Sequence, residues 1–277
     1  MLDGHNQLLK TERINPWPKS YPVLDLPISP HTALSVQTDF PLNHETPLSQ
    51  PLRVAVIGGG PAGLMAAEIL ASAGPSVSVR LYDSMPSVGR KFLLAGRGGL
   101  NLTHSEPPEV FMRRYGEHGA GLQPLMAAFG PAELRAWAEA LGIETFVGSS
   151  GLVFPKDMKA APLLRAWLQR LRQAGVQFSM RHRWLGWAED GALKFSTPAG
   201  EVLAQADAVV LALGGGSWAR LGSDGAWVPL LAERGVAVAP LQPSNCGFDV
   251  VAGAAADVAE HGETRRDFLR ELIGQTP

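Results

Sequence analysis

The chain has 277 residues, 45% of them hydrophobic and 18% charged, with a formal net charge of −2. That length suits one large domain or two modest ones with a real core, and the charge gives no global pull toward nucleic acid or an anionic membrane. No apolar run approaches the roughly 20 residues that span a bilayer, and a single cysteine, Cys246, rules out an intrachain disulfide and a Cys-cluster metal site, so a reducing, cytoplasmic setting is the default.

Residues 1–51 carry eight prolines and no sustained periodicity. Proline removes backbone donors and disfavours helix in the residue before it. A loose, disordered, Pro-rich extension is expected, with neither the apolar core of a secretory signal nor the Arg-rich composition of a transit peptide.

The first strong pattern is Val54-Ala-Val-Ile-Gly-Gly-Gly-Pro-Ala-Gly63. The apolar run Val54 to Ile57 predicts a buried parallel strand. Leu64 to Ala73 predicts a helix that stops at Gly74-Pro75. Between them Gly58, Gly60 and Gly63 stand in the spacing G-x-G-x-x-G. In this strand–turn–helix context the first glycine turns the chain and the second lets a pyrophosphate approach the backbone. The third lets helix and strand pack closely. Free N–H groups and about half a positive charge at the helix start face the phosphates. Pro61 sits where a missing N–H costs little. A second strand, Val77 to Tyr82, ends in Asp83, twenty positions after Gly63. A carboxylate there accepts hydrogen bonds from the ribose hydroxyls of an adenine dinucleotide.

Residues 85–104 are rich in glycine and in cations, Arg90, Lys91 and Arg97. Bare backbone and positive charge suit an anionic cofactor. Short helices are predicted around Glu109 to Tyr115 and Leu122 to Phe129, and a clearer one over Pro131 to Leu141. Gly148 to Pro155 reads as a turn into an apolar pair. Leu163, Leu164, Trp167, Leu168 and Leu171 mark an amphipathic helix over Ala161 to Ala174, with Arg165, Arg170 and Arg172 as its solvated face. Four short strands follow, Val176–Met180, Arg183–Ala188, Leu193–Thr197 and Val202–Ala204, and read as an antiparallel meander. Ala206 to Leu213 is a continuous apolar strand ending in Gly214-Gly-Gly216. Ligands of open parallel sheets lie at the carboxyl ends of strands, so both glycine clusters are expected to face one ligand.

Taken together, several stretches resemble the two-domain flavoproteins and, more narrowly, the aminoacetone oxidase-like, BaiN-type family of FAD/NAD(P)-dependent oxidoreductases. The likeness rests on the fingerprint at 58–63, Gly89-Arg-Lys91, Ala95-Gly-Arg-Gly-Gly-Leu-Asn-Leu-Thr103, Ser149-Gly-Leu-Val-Phe-Pro-Lys156, Leu211-Ala-Leu-Gly-Gly-Gly-Ser-Trp218, Gly222-Ser-Asp-Gly225 and Pro243-Ser-Asn-Cys-Gly247. The resemblance implies an α/β, Rossmann-like FAD/NAD(P)-binding domain over 52–240. Its central parallel sheet carries helices on one side and an antiparallel β-meander crossover on the other. It implies FAD as cofactor, NAD(P)H as a candidate reductant and a small-molecule substrate or electron acceptor. Carried over by position, Gly58, Gly60, Pro61, Ala62 and Gly63 hold the pyrophosphate and Asp83 the ribose. Arg90, Lys91 and Gly98-Gly99-Leu100-Asn101 line the cofactor, and Gly214 and Gly215 close over it.

After Val250 the likeness ends. Residues 241–277 read as the start of a second domain or a frameshifted tail, with a charged helix over Glu263 to Ile273, and a cofactor site short of one wall is the expectation. A non-catalytic fragment of such a flavoprotein and a nicotinamide-only Rossmann dehydrogenase stay open beside the FAD oxidoreductase. No catalytic residue is assigned. His104 and Cys246 could serve, but a loop histidine and a small packed residue are the simpler readings. Trp184 and Trp187 are expected to pack the meander.

Overall fold

The computed structural model describes residues 50–242. By its internal contacts the chain divides into two units, 1–237 and 238–277, and every element below belongs to the first. The Pro-rich stretch, Cys246 with its neighbours and the tail helix lie outside the described residues.

Four strands form a parallel sheet: β1 (Leu52–Ile57), β2 (Val77–Asp83), β6 (Gln177–Met180) and β10 (Ala208–Leu211), in the order β10-β1-β2-β6. Helix α1 (Pro61–Ala71) connects β1 to β2. Between β2 and β6 run α2 (Arg90–Ala95), β3 (Thr103–His104), α3 (Pro108–Met112), α4 (Gly119–Ala128), α5 (Pro131–Ala140), β4 (Thr145–Val147), β5 (Leu152–Pro155) and α6 (Ala160–Gln173). The meander β7 (Arg183–Trp187), β8 (Leu193–Thr197), β9 (Gly200–Ala204) joins β6 to β10, and α7 (Trp227–Ala232) follows. The expected architecture stands: a parallel sheet with helices on one face and the meander on the other.

Strand β1 shows why its sequence is an unbroken apolar run. Val54 to Ile57 are all buried, because a strand covered on both faces cannot alternate with polar residues. Val56, with Val79 and Leu81 of β2, packs on Leu64, Ala67, Trp137, Leu163, Trp167 and Leu171 of the helices. Ala55 and Ile57, with Tyr82, pack on Trp184, Leu193 and Phe195 of the meander. The Tyr82 and Phe195 rings stack at 4.3 Å between centroids. Trp184 and Trp187 meet edge to face within the meander, as expected.

Three local expectations change. Val176 to Met180 does not open the meander: Gln177–Met180 pairs in parallel with β2, Arg80 opposite Gln177 through Asp83 opposite Met180. Alternation marks a strand but not its partner; Val176 and Phe178 belong to the helical-side core. Residues 145–155 form an antiparallel pair, β4 with β5, to which β3 adds a third strand. Arg170 does not belong to a wholly solvated face, because its Nη1 donates to Glu68 Oε1 at 2.8 Å.

Glu68 is only 7% exposed on α1. Its Oε2 accepts from the indole N–H groups of Trp137 at 3.1 Å and Trp167 at 2.6 Å. One carboxylate thus ties α1 to α5 and α6, with the two indoles edge to face. Among the described residues no helix is long and apolar enough to cross a membrane.

Removing this carboxylate would strand two indole donors and a guanidinium. Glu68→Ala is expected to lower unfolding stability by about 3 kcal/mol, and Glu68→Gln, which keeps one acceptor, by less. Denaturant midpoints check this; a loss below about 1 kcal/mol for the alanine variant would show that the network is dispensable.

Candidate functional site

The carboxyl ends of β1, β2 and β10 open on one cavity of about 420 Å³, within the usual size of a small-molecule site. Its wall comes from four connections: the glycine turn after β1, the turn between β2 and α2, the start of β7, and the loop from β10 to α7.

The glycine turn is set by contacts that only hydrogen permits. Gly58 has φ +111°, and a Cβ there would lie 2.1 Å from the Ala212 carbonyl oxygen at the end of β10. A Cβ on Gly63 would lie 1.8 Å from the Gly58 carbonyl oxygen. Both glycines serve close packing of loop, helix and sheet. Gly60 differs. It caps α1 in an extended conformation, and nothing lies within 4 Å of where its Cβ would be. That empty space is on the cavity wall, where the amides of Gly60 and Ala62 have no acceptor within the helix and the helix dipole favours an anion.

Asp83 pins this turn. Its Oδ2 accepts from the Gly59 N–H at 2.7 Å and its Oδ1 from the Met85 N–H at 2.7 Å. The Gly59 carbonyl accepts from Gly89 N–H at 2.8 Å, and Gly58 N–H donates to the Tyr82 carbonyl at 2.8 Å. The turn is therefore laced to the end of β2 before any ligand arrives. Burial pushes the Asp83 carboxyl above its usual value, against the opposing pull of the two amides and the Arg90 charge. A carboxylate has about four acceptor sites, so lone pairs remain for hydroxyl donors in the cavity.

The predicted residues fall into two groups. Gly58, Gly60, Pro61, Ala62, Asp83, Arg90, Lys91 and Gly214 line the cavity. Gly63 stands behind the turn. Gly98, Gly99, Leu100, Asn101 and Gly215 are not on the cavity wall. Leu100 is buried in the helical-side core, and its N–H donates to the Met158 carbonyl at 3.0 Å. The fit to an anionic, acceptor-rich cofactor is good. The Gly60 gap, the unpaired first-turn amides, Asp83 and the Arg90 cation share one wall. Arg90 Nε and Trp184 Nε1 are buried donors without a partner, both in wall residues.

His104 is not on that wall. Its Nε2 lies 3.0 Å from the Ser150 carbonyl oxygen and its Nδ1 accepts from the Glu106 N–H, so both nitrogens are committed to the β3–β5 sheet region. Sequence reasoning missed His182, Arg183, Leu185, Ser223 and Asp224 as wall residues. Their signal was indirect. His182 and Arg183 follow the strand that pairs with β2, and Ser223 and Asp224 stand in the Gly222-Ser-Asp-Gly225 stretch, to which no role was assigned. Among the described residues no group of three or more His, Cys, Asp or Glu side chains could hold a metal ion.

The family described as HI0933-like protein Rossmann domain matches residues 52–262. A 3-dehydro-bile acid delta(4,6)-reductase of Clostridium scindens is 28% identical over 235 residues, 80% of this chain and 55% of the relative. The chain thus spans about half the length of that curated relative. Thermovibrio ammonificans THI4 is similar in structure, with a TM-score of 0.43 and 17% identity over 68% of this chain and 64% of that one. A quinol fumarate reductase of E. coli gives a TM-score of 0.45 and 22% identity over 60% and 33%.

The glycine contacts separate packing from access. Gly63→Ala is expected to cost about 3 kcal/mol of stability, because its Cβ meets backbone that cannot yield. Gly60→Ala is expected to stay within about 0.5 kcal/mol of the parent. Paired denaturation curves test this, and equal losses at the two positions would sink the distinction.

Proposed function

The chain belongs to the HI0933-like Rossmann-domain family of FAD-binding oxidoreductases, and from that premise we propose that its cavity holds the ADP half of FAD in an oxidoreductase that takes electrons from NAD(P)H. The observation that carries this reading is the open space over Gly60 at the start of α1, with the Asp83 carboxylate on the same cavity wall. The diphosphate lies over that space and takes hydrogen bonds from the first-turn amides. Arg90 offsets its charge. The remaining lone pairs of Asp83 accept from the ribose hydroxyls. The His182 N–H donates to the Asp83 carbonyl at 2.8 Å, so the wall from His182 to Leu185 lies beside the ribose-binding carboxylate in space and receives the purine. FAD, when bound, supplies the redox chemistry; this chain's residues anchor and orient it.

The name of the Clostridium scindens relative, a bile acid reductase, supports electron flow toward a small organic substrate. A cytoplasmic setting accords with the single cysteine, and a net charge of −2 offers nucleic acid no general attraction.

The purified chain is expected to show a flavin spectrum, or to acquire one on adding FAD, and to release FAD on denaturation. Protein that stays colourless and takes up no added FAD would overturn the proposal. Bleaching of the flavin by NADH or NADPH without oxygen tests the reductant. Gly60→Ala is expected to weaken FAD binding about tenfold, or about 1.4 kcal/mol, with its unfolding midpoint unchanged.

Asp83 adds a pH dependence. Its acceptor form is the anion, and burial holds its pKa above the usual carboxyl value. Affinity for FAD is therefore expected to fall on acidification, beginning at higher pH than an ordinary aspartate would give. Asp83→Asn is expected to bind more weakly and to flatten the profile. Titrations across the acid range check this; a parent profile as flat as the variant's would remove Asp83 from the ribose site.

A further inference from the structure

The loop from β10 to α7, residues 212–226, forms one wall of the cavity through Ala212, Leu213, Gly214 and 221–224. It lies close over the β2–α2 turn. Gly222 has φ +90°, and a Cβ there would lie 2.7 Å from Met85 Cγ and 3.3 Å from Ser84 Oγ.

Two cations from two other walls hold this loop. Lys91 Nζ, on α2, donates to Ser217 Oγ and Ser223 Oγ at 3.2 Å each. Ser223 is only 5% exposed, and its hydroxyl donates onward to the Gly215 carbonyl at 2.7 Å. From the other side Arg183 Nη2, at the start of β7, donates to Asp224 Oδ2 at 2.8 Å. Asp224 Oδ1 accepts from the Ala226 N–H at 3.1 Å, so the same carboxylate shapes the loop's exit. Arg90 is different: its Nη1 donates only to Ser87 Oγ, three residues before it, at 3.4 Å, its Nε is buried without a partner, and its charge acts on Asp83.

Lys91 and Arg183 line the cavity, as a phosphate ligand would, yet the hydrogen bonds they make run to the loop. Resting on the nucleotide reading above, we propose that Lys91 and Arg183 are positioning residues that hold the 212–226 loop as a wall over the bound nucleotide. The nucleotide leaves by release of that loop. Arg90 is the cation left to face the phosphates.

This predicts where the kinetic effect falls. A tether that keeps a wall closed governs dissociation. A cation that steers an anionic ligand governs association and its salt dependence. It also predicts that serine and aspartate partners matter as much as the cations, although neither need touch the nucleotide.

The experiment measures association and dissociation rates of FAD, with ADP as a second probe, for the parent, Lys91→Met, Ser223→Ala and their double variant. A second cycle uses Arg183→Met, Asp224→Asn and their double. Asparagine keeps the Oδ1 acceptor for Ala226 while removing the charge, which guards against simple loss of fold. Each single variant is expected to speed dissociation about fivefold and to leave association and its salt dependence near the parent's. Each double is expected to be no faster than its faster single, because both changes cut one tether. The proposal is overturned if Ser223→Ala and Asp224→Asn dissociate like the parent while Lys91→Met and Arg183→Met slow association, or if the doubles are additive. A parent that binds neither FAD nor ADP would instead defeat the nucleotide reading itself.

Discussion

At one point the turn after β1, the first turn of α1 and the end of β10 approach to the limit that hydrogen allows. Gly58, Gly63 and Ala212 meet there with no room for a methyl group on either glycine. This contact lets α1 start directly over the sheet, and it places the helix's unpaired amides at the cavity rather than in solvent. The register follows from it. Val54 pairs with Ala208 and Ile57 with Leu211, so β1 and β10 end level, and their glycines share one rim. A larger residue at either position would lift the helix and displace the amides together.

Two burial schemes hold that contact in place. On the helical side the sheet is covered by aliphatic and indole surface, with Glu68 as the one buried charge among the described core residues. A buried carboxylate is tolerated only when its hydrogen bonds are made, and three donors from two helices make them. The result is directional: apolar packing alone would allow α5 and α6 to slide over α1, whereas hydrogen bonds to one side chain do not. On the opposite face Tyr82, Trp184 and Phe195 bring the meander against the same strands. Trp184 therefore belongs to both the core and the cavity wall, and ligand wall and fold share atoms there.

The parts of this arrangement that were legible in the sequence share one property: they are local. The run Val54 to Ile57, the glycine spacing and the acid at the end of the next strand lie within about thirty residues, and each has a steric reason that one element imposes. The helices over 131–140 and 160–173 were legible because their apolar spacing repeats. Pairing partners were not. Gln177–Met180 reads the same whether it joins the meander or the parallel sheet, since alternation is identical in both. Arg170 reads as a surface cation until the fold brings Glu68 beneath it, 102 positions away. The 98–101 turn shows a second limit. A glycine-rich stretch near a fingerprint suggests ligand contact, and spacing does not reveal that Leu100 is drawn into the core and the turn off this cavity's wall.

The same locality explains why cations were harder to assign than glycines. A glycine's role follows from its own φ and the atom its missing Cβ would strike. A lysine's role depends on what its long stem reaches, and Lys91 reaches serines 126 and 132 positions away. Three cations stand on the cavity wall, and charge alone makes each a phosphate ligand. Their hydrogen bonds divide them. Lys91 and Arg183 are committed to the loop after β10, while Arg90 keeps a buried N–H without a partner. Such a donor costs free energy until an acceptor arrives, and an anion in the cavity would recover it. The division between cations that shape the wall and a cation held for the ligand thus rests on where each cation's hydrogen bonds already run.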